Sequence, residues 1–316
     1  MQGLTARARL AVESMRLEGV RSHAEVQRVT HETVSWATRR GLASGDAELA
    51  HVQATRVGEL AAFVCEREPI EVVQLSADLI TWLFRFDDLV GEARPGISTP
   101  QHRDVLRSYE RVICEQRLPS APTGFHEALL DVVERAVALG ASADWIRRFA
   151  LDMADYFEGC AAESEYRHAH RVPSLEAYRS LRARTVGTRP VFAIMELGVC
   201  GLVPRAEMAH LEFESARTLA ALLTAWVNDV YSLPKELAAR DPLNLVVVLA
   251  NEHAVAIEDA LELAIELYNS DLSLLERTVA QLRGQRPSIA LDGYLAGLLA
   301  WVHGNRHWTK FCGRYL

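Results

Sequence analysis

An all-α fold is predicted, on three observations. Apolar residues recur at three- and four-residue steps through nearly the whole chain, the period of a helix with one buried face. No alternating apolar/polar run of strand length occurs, and the β-branched cluster Val246-Val247-Val248 lies inside a helical stretch. The 316 residues include 18 glycines and 11 prolines, fewer than an average chain carries, which argues against a turn-rich β protein or a disordered one.

Taken in order, Ala50–Glu66 places Val52, Val57, Leu60, Ala61 and Val64 on one face and is predicted to be helical throughout. The same pattern predicts helix over Ile70–Val90, His102–Cys114, His126–Leu139, Asp144–Tyr166, Leu175–Val199, Ala206–Leu237, Leu245–Leu282 and Ile289–Trp308. Breakers separate them: Arg94-Pro95-Gly96, Leu118-Pro119, Ala121-Pro122, Gly140, Val172-Pro173 and Val203-Pro204. Ser22, Ser98, Ser142 and Ser174 are placed as N-caps. With no repeat, linker or low-complexity tract, the expectation is a single domain, 1–316, of about ten helices. Several exceed 20 residues, long enough to wall a deep cavity.

Net charge is −8, opposite to the basic stripe of nucleic-acid binders, so no nucleic-acid partner is expected. An anionic substrate then needs an intervening cation. The first residues carry scattered charges without an apolar core, so no secretory leader is expected. The longest apolar run, Leu295–Val302, is far below the ~20 residues of a membrane span. Cys65, Cys114, Cys160, Cys200 and Cys312 are widely spaced without CxxC and are expected to be reduced core residues of a cytoplasmic protein.

Two segments carry chemistry. Phe86-Asp87-Asp88-Leu89-Val90-Gly91-Glu92 closes an apolar helix. Asp88 and Glu92 share a face, with Asp87 about 100° round. Adjacent carboxylates at a helix C-terminus oppose the macrodipole unless a cation is bound, and carboxylate oxygens suit Mg²⁺; a solvated acidic helix end has the same composition. Asn228-Asp229-Val230-Tyr231-Ser232-Leu233-Pro234-Lys235-Glu236 is more specific. Asn228, Ser232 and Glu236 form an oxygen-bearing stripe about 80° wide and roughly 12 Å long. It emerges from the almost wholly apolar Leu219–Val227, where polar groups need partners. A second divalent cation would supply them; the alternative is a helix end kinked by Pro234, with Lys235 neutralising Glu236.

Together these segments, 141 positions apart, resemble the DDxx(x)D/E and NDxxSxxxE motifs of bacterial class I terpene synthases. The resemblance extends further. The family's diphosphate-sensing arginine stands 46 positions before the motif asparagine, and Arg182 is there. Thr185 then falls at the linker position and Val186 at the effector position, with Gly187 beside it sharing the candidacy. Pro190 lacks an N–H for the Val186 carbonyl, and Gly187 eases a break, so the residues themselves also predict a helix interruption. The C-terminus, Trp301-Val302-His303-Gly304-Asn305-Arg306-His307-Trp308 followed by Arg314-Tyr315, is similar to the family's WxxGNxxW segment and Arg-Tyr pair.

The resemblance implies a single-domain helical bundle around a deep apolar active-site cavity. It implies an Mg²⁺-dependent lyase, with three ions, that ionises and cyclises a linear isoprenyl diphosphate and releases diphosphate. Farnesyl diphosphate is the default substrate; geranyl and geranylgeranyl diphosphate are alternatives, the last making the protein a diterpene synthase. Asp87, Asp88, Glu92, Asn228, Ser232 and Glu236 would hold metal. Arg182, Lys235, Arg314 and Tyr315 would contact diphosphate, and Thr185, Phe84, Trp301 and Trp308 would line the substrate site. A homodimer is common in the family. A chain-elongating prenyltransferase or a non-catalytic helical scaffold are the remaining readings. The arginines Arg167, Arg171, Arg179, Arg184 and Arg189 are expected on solvated faces, as are His168 and His170, which have no third metal ligand nearby.

Overall fold

The computed structural model describes residues 2–91, 99–285 and 288–314. Its helices are α1 (Gln2–Ser14), α2 (Val26–Arg39), α3 (Asp46–Thr55), α4 (Val57–Val64), α5 (Ile70–Phe86), α6 (Thr99–Glu115), α7 (Gly124–Ala138), α8 (Ala143–His168), α9 (Leu175–Thr185), α10 (Thr188–Met195), α11 (Arg205–Met208), α12 (Leu211–Ala239), α13 (Leu245–His253), α14 (Ile257–Gln285) and α15 (Ile289–Thr309). A π-helical turn, Asp87–Gly91, follows α5 directly. Among the described residues no strand occurs.

The two helices that carry the motifs are the most deeply embedded. Every residue of Leu219–Val227 on α12 is buried, as its unbroken apolar sequence requires. This helix packs against α1, α9, α10, α13, α14 and α15. Thirteen of the seventeen residues of α5 are buried, against α2, α4, α7 and α10. Its last turn is pinned by an aromatic cluster. Trp82 stacks on Phe86 at 4.6 Å, and Phe86 meets Tyr109 edge-on at 5.3 Å. Each such fully buried ring contributes about 1.5–3 kcal/mol, so the position of Asp87, next along the chain, is fixed by packing.

Among the described residues fifteen α-helices stand where about ten were expected, because several expected stretches are interrupted. Ala50–Glu66 is split by Arg56 at φ 51°, and Leu245–Leu282 by Ala254 at φ 53°. Both residues adopt a left-handed conformation that their side chains disfavour, so neither Gly nor Pro marks the break. Ser142 and Ser174 cap α8 and α9, accepting from the amides of Trp145 and Ala177. Ser22 is not a cap: α2 starts at Val26, and the Ser22 hydroxyl donates to the His23 carbonyl. Ser98 lies outside the described residues. Cys65, Cys160 and Cys312 are buried and Cys200 is half-buried, but Cys114 is exposed, which corrects its expected place in the core. No helix among the described residues is long and apolar enough to cross a membrane.

Candidate active site

The ends of α5 and α12 open onto one cavity of about 380 Å³. Asp87 and Asp88 stand on its wall with Asn228, Ser232, Lys235 and Glu236, joined by Arg182, Thr185, Val186, Gly187, Phe84 and Arg314. A smaller chamber of about 50 Å³ shares Phe84, Val186, Gly187 and Asn228 with it and is otherwise lined mainly by apolar and aromatic side chains, Trp301 and Trp308 among them. The site is therefore two-part, with a charged mouth and an apolar interior. Glu92 and Tyr315 lie outside the described residues.

The second motif is built around a residue that sequence reasoning gave no role. Asp229 is fully buried. Its Oδ1 accepts from Arg182 Nε at 3.0 Å and Nη2 at 2.8 Å. Its Oδ2 accepts from the Tyr178 hydroxyl at 2.6 Å and from the Leu245 amide at 3.1 Å. Arg182 Nη2 also donates to Asn228 Oδ1 at 2.9 Å. Burial works against the Arg182 charge, but Asp229 foremost holds the guanidinium well above the ordinary arginine range. Tyr178 and Arg182 are one turn apart on α9, so one carboxylate on α12 orients both.

Glu236 is held by Asn244, whose side-chain amide donates to it at 2.6 Å. Desolvation, then repulsion from Asp229, pushes its carboxyl up to about 7. Lys235 is exposed at the rim and makes no ion pair with Glu236. Helix α12 also runs on through Pro234 to Ala239. The simple helix-end alternative therefore does not describe this segment.

At the opposite rim, Arg314 bridges the aspartate pair, with Nη2 to Asp87 at 2.8 Å and Nη1 to Asp88 at 3.0 Å. Its guanidinium lies 4.5 Å from the centre of the Phe84 ring. His51 Nε2 is 3.1 Å from Asp88. Between the rims the α9–α10 interruption is real: Val186 ends α9, and Gly187, at φ 72°, precedes α10. That backbone favours glycine.

Arg171 is exposed, as expected, but the other arginines of the stretch are half-buried and paired with acids. Arg179 pairs with Asp271, Arg184 with Asp155, and Arg189 with Glu214, while Arg171 lies over the Tyr166 ring. Arg167 bonds Glu163 and Asp241 at 3.1 and 3.0 Å, and all three line the cavity mouth. The i, i+4 spacing of Glu163 and Arg167 is the one mark of this cluster in the sequence; Asp241 reaches it only through the fold. His168 and His170 are exposed, as expected.

The donor chemistry fits a divalent cation. The mouth supplies two carboxylates on one side and an amide, a hydroxyl and a carboxylate on the other, all hard oxygens. Among the described residues no three His, Cys, Asp or Glu side chains converge on a point, so any one protein rim leaves coordination to be completed by ligand or water, as Mg²⁺ sites do. The lining arginines are already paired with acids, so an entering polyanion needs added positive charge.

An all-helical bundle whose two acidic rims face each other over an apolar chamber defines a class I terpenoid synthase. Residues 78–273 match the model of terpene synthase family 2, C-terminal metal binding, and the chain belongs to that family: it is a bacterial class I terpene synthase, a cyclase and so a lyase acting on diphosphates. It is 29% identical to the (+)-T-muurolol synthase ((2E,6E)-farnesyl diphosphate cyclizing) of Roseiflexus castenholzii, over 93% of this chain and 89% of that one. It is 25% identical to the germacrene A synthase of Nostoc punctiforme, over 90% and 88%. The fold matches the linalool/nerolidol synthase of Streptomyces clavuligerus with a TM-score of 0.83 at 21% identity, covering 93% of this chain and 99% of that one.

Proposed function

We propose that the protein is an Mg²⁺-dependent sesquiterpene cyclase, converting farnesyl diphosphate to a cyclic product with release of diphosphate. The observation that supports it most is that Asp87, Asp88, Asn228, Ser232 and Glu236 all line one mouth above an apolar, aromatic chamber. Two of the relatives are named for cyclising (2E,6E)-farnesyl diphosphate.

Asp87 and Asp88, with Glu92, would hold metal at one rim, and Asn228, Ser232 and Glu236 at the other, three ions in all. Bound Mg²⁺ supplies Lewis-acid charge that neutralises the leaving diphosphate. Arg182, fixed by Asp229, presents its guanidinium to the same oxygens without reorganising. Lys235 stands at the rim with charge to add, Arg314 would turn from Asp87 and Asp88 to the diphosphate once metal neutralises that pair, and Tyr315 follows Arg314 in sequence. Thr185 lines the mouth, and its hydroxyl would donate to a phosphate oxygen. The hydrocarbon tail enters between Phe84, Trp301 and Trp308, whose ring faces stabilise an allylic cation without acting as bases. The Val186–Gly187 break brings peptide dipoles to the junction of the two chambers, where charge would develop.

The test is turnover of geranyl, farnesyl and geranylgeranyl diphosphate with Mg²⁺, read by diphosphate release and gas chromatography–mass spectrometry. A cyclic sesquiterpene from farnesyl diphosphate, fastest of the three, is expected. Preference for geranylgeranyl diphosphate would make it a diterpene synthase, and elongation with isopentenyl diphosphate a prenyltransferase; either overturns the reading.

A further inference from the structure

The chemistry above leaves one ion-paired cluster on the wall of the mouth without a role. Arg167, in the last turn of α8, is half-buried. Its Nη1 donates to Glu163 Oε2, one turn back on the same helix, at 3.1 Å, and its Nε donates to Asp241 Oδ2 at 3.0 Å. Glu163 is buried and Asp241 half-buried, and all three line the cavity. An arginine keeps its charge at any working pH, so this pair is a standing tie between α8 and the turn at 240–244 that follows α12.

That turn is bonded to the second motif at several points. The Asp241 amide donates to the Glu236 carbonyl at 2.9 Å. Asp241 Oδ1 accepts from the Leu243 amide at 3.0 Å, the local bond by which an aspartate closes a turn. Asn244 is fully buried. Its Nδ2 donates to Glu236 Oε2 at 2.6 Å and to the Asp229 carbonyl at 2.7 Å, and its Oδ1 accepts from the Val246 amide at 2.8 Å. The amide therefore fits only one way round, since the flipped oxygen would face a carboxylate and a carbonyl. The Leu245 amide donates to Asp229 Oδ2 at 3.1 Å. The turn thus orients Glu236 and Asp229 together, and Arg167 fastens the turn to α8.

We propose that Arg167 is a positioning residue for the cation site of the second motif. It acts through Asp241, which holds the 240–244 turn, and through Asn244, which orients the Glu236 carboxylate. Glu163 grips the guanidinium from its other edge, so an entering diphosphate meets an arginine already engaged on two sides. The inference rests on the metal role of Glu236 proposed above. Removing the partners behind a ligating group typically weakens metal binding by about 10- to 100-fold. Arg167 stands two residues removed from Glu236 in this chain of bonds, which places it at the low end.

The Mg²⁺ requirement tests this in two ways: half-saturating Mg²⁺ for diphosphate release from farnesyl diphosphate, and the rise in melting temperature as Mg²⁺ is titrated at fixed pyrophosphate, which needs no turnover. Asp241→Asn keeps an oxygen for the Leu243 amide and removes the charge that Arg167 meets. Arg167→Met with Glu163→Gln removes the tie from the other side and leaves no unpaired carboxylate on α8. Each is expected to raise half-saturating Mg²⁺ about tenfold in both measurements, with release at saturating Mg²⁺ within about twofold of wild type. Arg167→Lys, which keeps a charge for Asp241, should recover most of the affinity. An Mg²⁺ requirement unmoved by Asp241→Asn overturns the proposal. So does weaker pyrophosphate binding at saturating Mg²⁺ in the Arg167 variant alone, which would make Arg167 a direct diphosphate contact. Glu236→Gln separates this failure from that of the metal assignment: if it too leaves the Mg²⁺ requirement unmoved, Glu236 holds no metal and both readings fall.

Discussion

Asp229 carries more of the site than its place between motif letters suggests. It meets Arg182, Tyr178 and a backbone amide at once, with no exposure of its own. Removing one partner of a buried charge pair leaves the other uncompensated, typically at 3–5 kcal/mol. Asp229→Ala should therefore lose about that much stability in denaturant unfolding, and a loss under 1 kcal/mol would show that Arg182 is held by something else. Glu236 makes a different prediction. Its carboxyl, at about 7 in the fold against an ordinary 4.5, binds a proton more tightly folded than unfolded. Its contribution to stability is full below about 4.5 and is lost as pH rises through about 7. A divalent cation needs the carboxylate form, so stabilisation by Mg²⁺ with pyrophosphate should grow between pH 6 and pH 8. A melting-temperature gain that is flat over this range would detach Glu236 from the metal.

Among the elements, the α9–α10 interruption is where sequence and structure agree most usefully. Gly187 and Pro190 forecast a break, and Gly187 occupies a left-handed conformation there. A Cβ on Gly187 would meet only ordinary contacts from Tyr156 and Leu83, so Gly187→Ala tests the backbone alone. It should cost about 1–2 kcal/mol, the penalty of left-handed backbone for a residue with a side chain; no loss would mean that the segment relaxes. Gly304 is needed for another reason, since a Cβ there would approach Val64 and Phe63 to 2.9–3.2 Å and push α15 off α4. The breaks at Arg56 and Ala254 were not legible, because strained left-handed residues with side chains leave no compositional mark. Arg167, Arg179, Arg184 and Arg189 were misjudged for a related reason. Their acidic partners are distant in sequence, Asp155, Glu214 and Asp271 on other helices and Asp241 between α12 and α13, and only the tertiary fold brings them near.

At the scale of the molecule, the all-α class and the two motif helices were readable because burial on every side of α5 and α12 demands continuous apolar sequence. What the sequence withheld is the second tier: Asn244 behind Glu236 and Asp229 behind Arg182. Neither has a spacing signature, since each acts across helices. The joint arrangement predicts that Asn228→Ala/Ser232→Ala lowers diphosphate release from farnesyl diphosphate by at least about a hundredfold, in line with loss of groups acting on developing charge; near wild-type release would refute the metal assignment. The most direct measurement is anomalous diffraction from crystals grown with Mn²⁺ and pyrophosphate. Peaks are predicted within carboxylate-ligand distance of Asp87 at one rim and of Asn228, Ser232 and Glu236 at the other. Metal found only elsewhere on the protein, with both rims bare, would contradict the account.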